Sequence, residues 1–323
     1  MPIAYGRYQL PYHQPVQLKQ GLFNCREGLV LARQSPVGTL YAEVAPFPGL
    51  SRESLNDCLT WLEAPDADKP AEPPPALAWG LSLLQQTLPP VSLGQRLPLN
   101  ALLTPQAPAA LLTQARRLYA EGYRCFKLKV GFGGPRDDLR LIDTLLAALP
   151  GIALRLDANR CWSLAQALDF AARLPETGID YLEEPLREPA QARHWREHSP
   201  QRLALDESLA QSDWQALAAV ADVLVLKPML LGPQRFEACV ALARAQGQQL
   251  VISSVFESGL GLRALARLAY SLAPEVPAGL DTWRAFARDL TDPPFEAQAG
   301  SVIFSANMFT EAPDLWLKWV HSI

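Results

Sequence analysis

Leu154-Arg155-Leu156-Asp157-Ala158-Asn159 reads as a short apolar strand that ends on a carboxylate, and the same design recurs on both sides of it. Upstream, Phe126-Lys127-Leu128-Lys129-Val130-Gly131 ends on a lysine. Downstream come Tyr181-Leu182-Glu183-Glu184-Pro185, Leu203-Ala204-Leu205-Asp206-Glu207-Ser208 and Val223-Leu224-Val225-Leu226-Lys227-Pro228. Lys129, Asp157, Glu183, Asp206 and Lys227 are separated by 28, 26, 23 and 21 residues. That is close to the length of one strand–helix unit, so the run predicts successive parallel strands joined by helices. Charges at the same end of such strands point into one shared site.

The flanking sequence extends the alternation. Strands are expected at 97–102, 125–130, 153–157, 179–182, 203–205, 223–226 and 250–253, with a last short one at 279–282. Amphipathic helices are expected at 108–120, 135–149, 163–174, 213–220 and 233–246, several ending at glycine or proline. About eight units suit a closed (β/α) barrel, in which strand C-terminal ends form the functional mouth. An open doubly wound sheet would carry a nucleotide fingerprint. Here Gly131-Phe132-Gly133-Gly134 has Arg136 where the third glycine belongs, and no Gly-x-x-x-x-Gly-Lys-Ser/Thr occurs. Residues 1–98 differ. Strands at 5–10, 29–32 and 40–44, helices at 55–62 and 76–86, and a proline- and charge-rich loop at 64–75 predict a separate α+β module. The tail from 290 is irregular, and 316–320 is expected to pack back on that module.

Bulk properties narrow the function. The chain has 323 residues, 49% hydrophobic and 19% charged, which suits a globular protein with a sizeable core. A net charge of −4 offers no basic patch for nucleic acid. No apolar run is long enough to span a bilayer, and no signal segment is visible at the N-terminus. Five scattered cysteines without a Cys-x-x-Cys suit a reducing cytoplasm.

Asp157, Glu183 and Asp206 would crowd three carboxylates at the mouth, where they repel unless a cation neutralises them. Oxygen ligands select a hard ion, Mg²⁺ first. Any one of these acids alone could instead cap a helix or pair with an arginine. Lys127 and Lys129 point the same way on their strand. Lys129 would reach a substrate, and the charge of Lys127 would depress its neighbour's pKa, as a base working near neutral pH requires. Lys227 closes too apolar a strand to be idle, unless it snorkels to solvent. Arg155 shares the face of Asp157, and Asn159 lies close to the proposed ion. Glu184 and Glu207 would serve as outer acceptors or face solvent. Ser253, Ser254, Ser258 and Gly259 follow a strand, where they could bind a substrate carboxylate or cap the next helix. His194 and His198 have metal-ligand spacing but lie in a polar stretch that reads as an exposed helix face. No Gly-x-Ser-x-Gly elbow supports a serine nucleophile.

The order Lys-x-Lys, Asp-x-Asn, Glu-Glu-Pro, Asp-Glu-Ser, Lys-Pro resembles the enolase superfamily, in its muconate-lactonizing subgroup. Four further runs are similar to a ring-dehydrating branch of it: Leu154 to Trp162; Val251 to Ser254 with Glu257 to Gly261; Ala45 to Gly49 with Ser51; and Gly279 to Thr282. The resemblance implies a (β/α)7β-type TIM barrel over 99–289, with a capping domain made of 1–98 and the tail 290–323. It implies Asp157, Glu183 and Asp206 as ligands of Mg²⁺, with Mn²⁺ as a substitute. Lys129 becomes general base and then acid, with Lys227 on the other side of the substrate. Lys127, Arg155, Asn159, Ser253, Ser254, Ser258, Gly259 and Ser51 become substrate contacts. The implied reaction removes water from a succinyl-hydroxycyclohexadiene carboxylate. Racemisation of N-acylamino acids or epimerisation of dipeptides uses the same two lysines and stays open, although the Asp-x-Asp motif of dipeptide epimerases is not seen. Capping loops at 14–23 and 45–51 would close over the barrel. The implied partner is a small carboxylate, with no nucleic acid and no membrane; monomer and homo-oligomer stay equally open.

Overall fold

The structure, a computed structural model, describes residues 3–18, 21–36, 38–65, 68–85, 88–104, 106–306 and 319–320. The first module is an antiparallel sheet of β1 (Ile3–Leu18), β2 (Gly21–Ser35) and β3 (Gly38–Val44), with α1 (Leu55–Glu63) and α2 (Pro75–Gln85) behind it. Strands β1 and β2 run well past the predicted 5–10 and 29–32. Their arms pair out to Leu18↔Gly21 across an irregularity between Pro11 and Val16. The capping loop expected at 14–23 is strand over its described residues, and this end of the hairpin alternates exposed and half-buried positions instead of burying one face fully. Gln14 and Gln17 therefore lie on β1, whereas Lys19 falls outside the described residues.

After β4 (Arg96–Pro98), the barrel comprises β5 (Asn100–Leu103), α3 (Pro108–Ala120), β6 (Cys125–Lys129), α4 (Pro135–Ala148), β7 (Ala153–Asp157), α5 (Leu164–Ala172), β8 (Ile179–Glu183), α6 (Ala192–His198) and β9 (Leu203–Leu205). It continues with α7 (Trp214–Ala218), β10 (Val223–Leu226), α8 (Pro228–Gln246), β11 (Gln249–Ile252) and α9 (Gly259–Leu272). Strands β5 to β11 pair in chain order as one parallel sheet. Burial on both faces explains their unbroken apolar runs, such as the fully buried Val223–Leu226.

Two expectations change. The single strand at 97–102 is divided at Leu99: β4 pairs antiparallel with β12 (Ser301–Ile303), while β5 starts the parallel sheet. The last strand at 279–282 shrinks to two bridges, Leu99↔Ala278 and Ser253↔Gly279, followed by a 3₁₀ turn, Asp281–Ala285. Those bridges close the ring. Asn100 N donates to Ala278 O at 3.0 Å and Gly279 N donates to Ile252 O at 2.8 Å. The Asp281 carboxylate takes over as acceptor for Leu102 N, at 3.1 Å, and ends the pairing.

The tail returns to the first module through β13 (Trp319–Val320), which pairs with β1 at Tyr5↔Val320 and Gly6↔Trp319. Residues 316–318 lie outside the described residues. The main core runs through both modules, and Tyr181, Ala204, Val223, Val225 and Val251 form a second, smaller cluster. Among the described residues no disulfide forms, and no helix is long and apolar enough to cross a membrane.

Candidate active site

Register sets the site. Lys129 pairs with Asp157 and Asp157 with Glu183, so three charges stand level on β6, β7 and β8. Asp206 and Lys227 immediately follow β9 and β10 at the same end. Strand C-termini put them at the barrel mouth. A cavity of about 220 Å³ opens there, lined by Lys127, Lys129, Asp157, Asp206 and Lys227. Asn159, Ser253 and Ser254 also line it, and Leu50 reaches in from the first module. Glu183 is buried just outside that lining.

The lysines have divergent surroundings. Lys127 Nζ bridges Glu183 Oε1 at 2.7 Å and Asp157 Oδ2 at 3.0 Å. Burial opposes its charge, but these carboxylates prevail and hold its pKa well above the ordinary value. Lys227 Nζ pairs with Asp206 Oδ2 and is likewise raised, the carboxylate outweighing burial. Lys129 has no such bridge among the described residues. Burial lowers its pKa, Asp157 opposes the shift, and the charges of Lys127 and Lys227 reinforce it. Carboxylates thus hold the protons of Lys127 and Lys227, while burial and two like charges loosen that of Lys129.

A backbone lattice fixes the rim. Glu184 accepts from Asp206 N at 2.9 Å, Ser208 N at 2.7 Å, Ser208 Oγ at 2.8 Å and Arg160 Nε at 3.0 Å. Asn159 N donates to Asp157 Oδ1 at 3.1 Å, and Asn159 Nδ2 to Glu207 Oε1 at 3.0 Å. Burial, with Asp206 and Glu184 adding repulsion, pushes Glu207 up to about 7. Asn159, Arg160, Glu184 and Phe256 all adopt positive φ, a strained choice that clusters where side chains must be aimed.

The expected grip of Asp157, Glu183 and Asp206 on one point is not drawn tight. Among the described residues, the set of three candidate ligands whose donor atoms all lie within 4.8 Å is His194, Glu197 and His198, on an exposed face of α6. The three rim carboxylates repel one another, and each is engaged by an ammonium instead. Their chemistry still fits a hard divalent cation: three oxygen donors stand on neighbouring strand ends, and Glu183 Oε2 is buried without a hydrogen-bond partner.

Four expected substrate contacts lie elsewhere. Arg155 faces inward like Asp157 but one layer deeper, fully buried, where it donates to Asp180 Oδ2 at 2.9 Å, Asn100 Oδ1 at 2.8 Å and Pro277 O at 2.6 Å. Ser258 N and Oγ both donate to Glu43 of the first module, which caps the start of α9. Gly259 N donates to Asp289 Oδ1 at 2.7 Å, and a Cβ there would meet that carboxylate at 2.1 Å. Ser51 Oγ accepts from Phe47 N at 2.8 Å in a turn, leaving Leu50 as that loop's contribution to the cavity. Ser253 and Ser254 do line the cavity, yet both hydroxyls donate to Gly279 O, at 3.3 and 3.1 Å. The sequence reading gave no site role to Asn100, Leu102, Val255, Phe256 or Thr282, which also line the cavity. Inward parity from Leu102 could have found Asn100. Nothing local marks the others.

A family model described as Enolase C-terminal domain-like matches residues 110–308, and one described as MenC, N-terminal domain, matches 3–88. The chain belongs to the enolase superfamily. It is similar to the o-succinylbenzoate synthase of Vibrio cholerae serotype O1 (strain M66-2), with 35% identity over 311 residues that cover 89% of this chain and 91% of the relative. A solved o-succinylbenzoate synthase from Thermosynechococcus elongatus BP-1, complexed with Mg in the active site, matches with a TM-score of 0.70 and 28% identity over 88% of this chain and 94% of that one. The L-Ala-D/L-Glu epimerase of Bacillus subtilis matches with a TM-score of 0.80 but 17% identity, over 94% and 95% of the two chains, a likeness of fold alone.

Proposed function

We propose that this chain is a hydro-lyase, an o-succinylbenzoate synthase of menaquinone biosynthesis acting in the cytoplasm. Its substrate would be 2-succinyl-6-hydroxy-2,4-cyclohexadiene-1-carboxylate. The observation that carries the reading is the pair of lysines, Lys129 and Lys227, lining one cavity whose rim bears three carboxylates. The likeness to curated o-succinylbenzoate synthases over most of both chains supplies the substrate.

Lys129, with its lowered pKa, takes the proton α to the ring carboxylate. The C–H electron pair moves toward that carboxylate, and Lys227, held charged by Asp206, stabilises the negative charge that develops. Lys129, now an ammonium, returns its proton to the departing hydroxyl as the ring C–O bond breaks, so water leaves and the ring becomes aromatic. Asp157, Glu183 and Asp206 would hold the divalent ion, Mg²⁺ or Mn²⁺. Once bound, it supplies further stabilisation of that negative charge. Lys127 neutralises Asp157 and Glu183, keeping the acids from repelling an anionic substrate. Leu50, Val255 and Phe256 supply an apolar wall that limits water beside the reacting atoms.

The test is incubation of the protein and Mg²⁺ with the cyclohexadiene, followed by ultraviolet absorbance. Conversion by the wild type and its loss in Lys129→Ala are expected. An unchanged spectrum with metal-loaded wild type would overturn the reading.

A further inference from the structure

Beside the cavity lies a second, open groove of about 410 Å³. Ala210, Leu230 and Leu231 line both, so the cavity and the groove adjoin along the first turn of α8. The far wall carries Arg52, from the loop after Gly49, and Arg235, from α8. These elements approach closely because Gly232 breaks α8 at φ 70°; a Cβ there would meet Pro75 Cα of the first module at 3.3 Å.

The two arginines differ from the other cations near the mouth. Arg235 is fixed: Nη1 donates to Leu209 O at 2.9 Å and Gln211 O at 3.0 Å, and its guanidinium lies 5.0 Å from the centre of the Trp214 ring. Its partners are carbonyls and an aromatic face, with no carboxylate among the described residues. Arg52 is exposed and has no hydrogen bond or ion pair with any described residue. Glu72, exposed on the same groove, is the acid that lines it, so the two arginines leave the groove cationic. Two like charges held around one groove, neither matched by its own acid, are stabilised by an anion that both can contact.

We propose that Arg52 and Arg235 form a recognition site for the second carboxylate of a dicarboxylate substrate whose first carboxylate lies in the catalytic cavity. This rests on the dehydration reading and deepens it. The succinyl arm of the cyclohexadiene ends in that second carboxylate, and Leu230 and Leu231 border both the cavity and the groove. The pair also discriminates. A substrate presenting an ammonium at this end would face two guanidiniums and be disfavoured by like charge.

The experiment is equilibrium binding, which does not depend on turnover. The probes are o-succinylbenzoate and 2-butanoylbenzoate, which keeps the aryl carboxylate and lacks the aliphatic one. With Mg²⁺ present, wild type is expected to bind the dicarboxylate at least about tenfold more tightly, the scale of one charge-assisted hydrogen bond. Arg52→Ala, at an exposed position where folding is not at stake, should erase most of that preference. Arg52→Lys should retain part of it, and rising salt should weaken the preference in wild type but not in Arg52→Ala. Equal affinity for the two probes in wild type, no binding of either, or an unchanged preference in Arg52→Ala would each overturn the anion site. Absence of turnover with the preference intact would overturn the dehydration and leave the anion site standing.

Discussion

Lys129 and Lys227 are the same side chain given opposite tasks by what stands next to them. Lys227 touches Asp206, so its proton is held; Lys129 has burial and two neighbouring ammoniums, so its proton is loosened. Replacing Lys129 by arginine keeps a cation of similar reach that does not deprotonate, so kcat should fall by about 10³ or more while the fold persists. Steady-state kinetics with a thermal-melt control checks this. Because the pKa of Lys129 lies below the ordinary lysine value, kcat/KM should rise with pH as this group loses its proton, on the low-pH side of where a free lysine titrates. A pH–rate profile that is flat there would remove Lys129 as the base. Asp206→Asn should weaken Mg²⁺ affinity by at least about tenfold, since a neutral amide replaces one of three anionic donors. A metal titration of the variant decides it.

At the scale of elements, one buried arginine ties the two modules together. Arg26 on β2 donates to Phe256 O at 3.0 Å and Pro46 O at 2.9 Å, and also to Ala45 O and Val255 O. It thus joins the loop after β3, which carries Leu50, to the loop after β11, which carries Val255 and Phe256. All three of these side chains line the cavity. Arg26→Met would leave several buried carbonyls unsatisfied, at a cost of about 3 kcal/mol or more. Chemical denaturation should read that loss, and KM should rise as the two loops lose register with each other. Unchanged stability and KM would show that the loops are positioned by packing alone.

The whole molecule carries an unusual pH signature at the same junction. Glu43 and Glu257 are both buried there, and burial raises both; Glu257, repelled also by Glu43, reaches about 7. A carboxyl whose folded pKa exceeds its unfolded value binds more protons when folded, so its contribution to stability is full at low pH and declines as pH rises from about 4.5 toward 7. The decline for Glu257 is up to about 3 kcal/mol. Glu257→Gln should flatten the fall in Tm across that window, measured at fixed ionic strength. A wild-type Tm that climbs through the same range would contradict it.

The strand-end charges were readable because an apolar run ending on Lys129, Asp157, Glu183, Asp206 or Lys227 needs a polar surface at its end, and even spacing repeats that surface at one rim. Period and composition therefore determined the strand–helix alternation and the five charged strand ends, and the missing nucleotide fingerprint separated a barrel from an open sheet. Depth and long-range partners were decided by tertiary structure. Arg155 has the right parity but lies one layer too deep, and depth along a strand is set by register with Asn100 and Asp180. Ser258 reads locally as a free helix N-terminus, but Glu43, 215 residues away, fills it. The ring closes at Ala278 and Gly279, not over a full strand, because hydrogen-bond partners on both sides end there. Local sequence encodes which face a side chain takes and whether it is polar. The chain segment that arrives to meet it depends on contacts made across the whole fold.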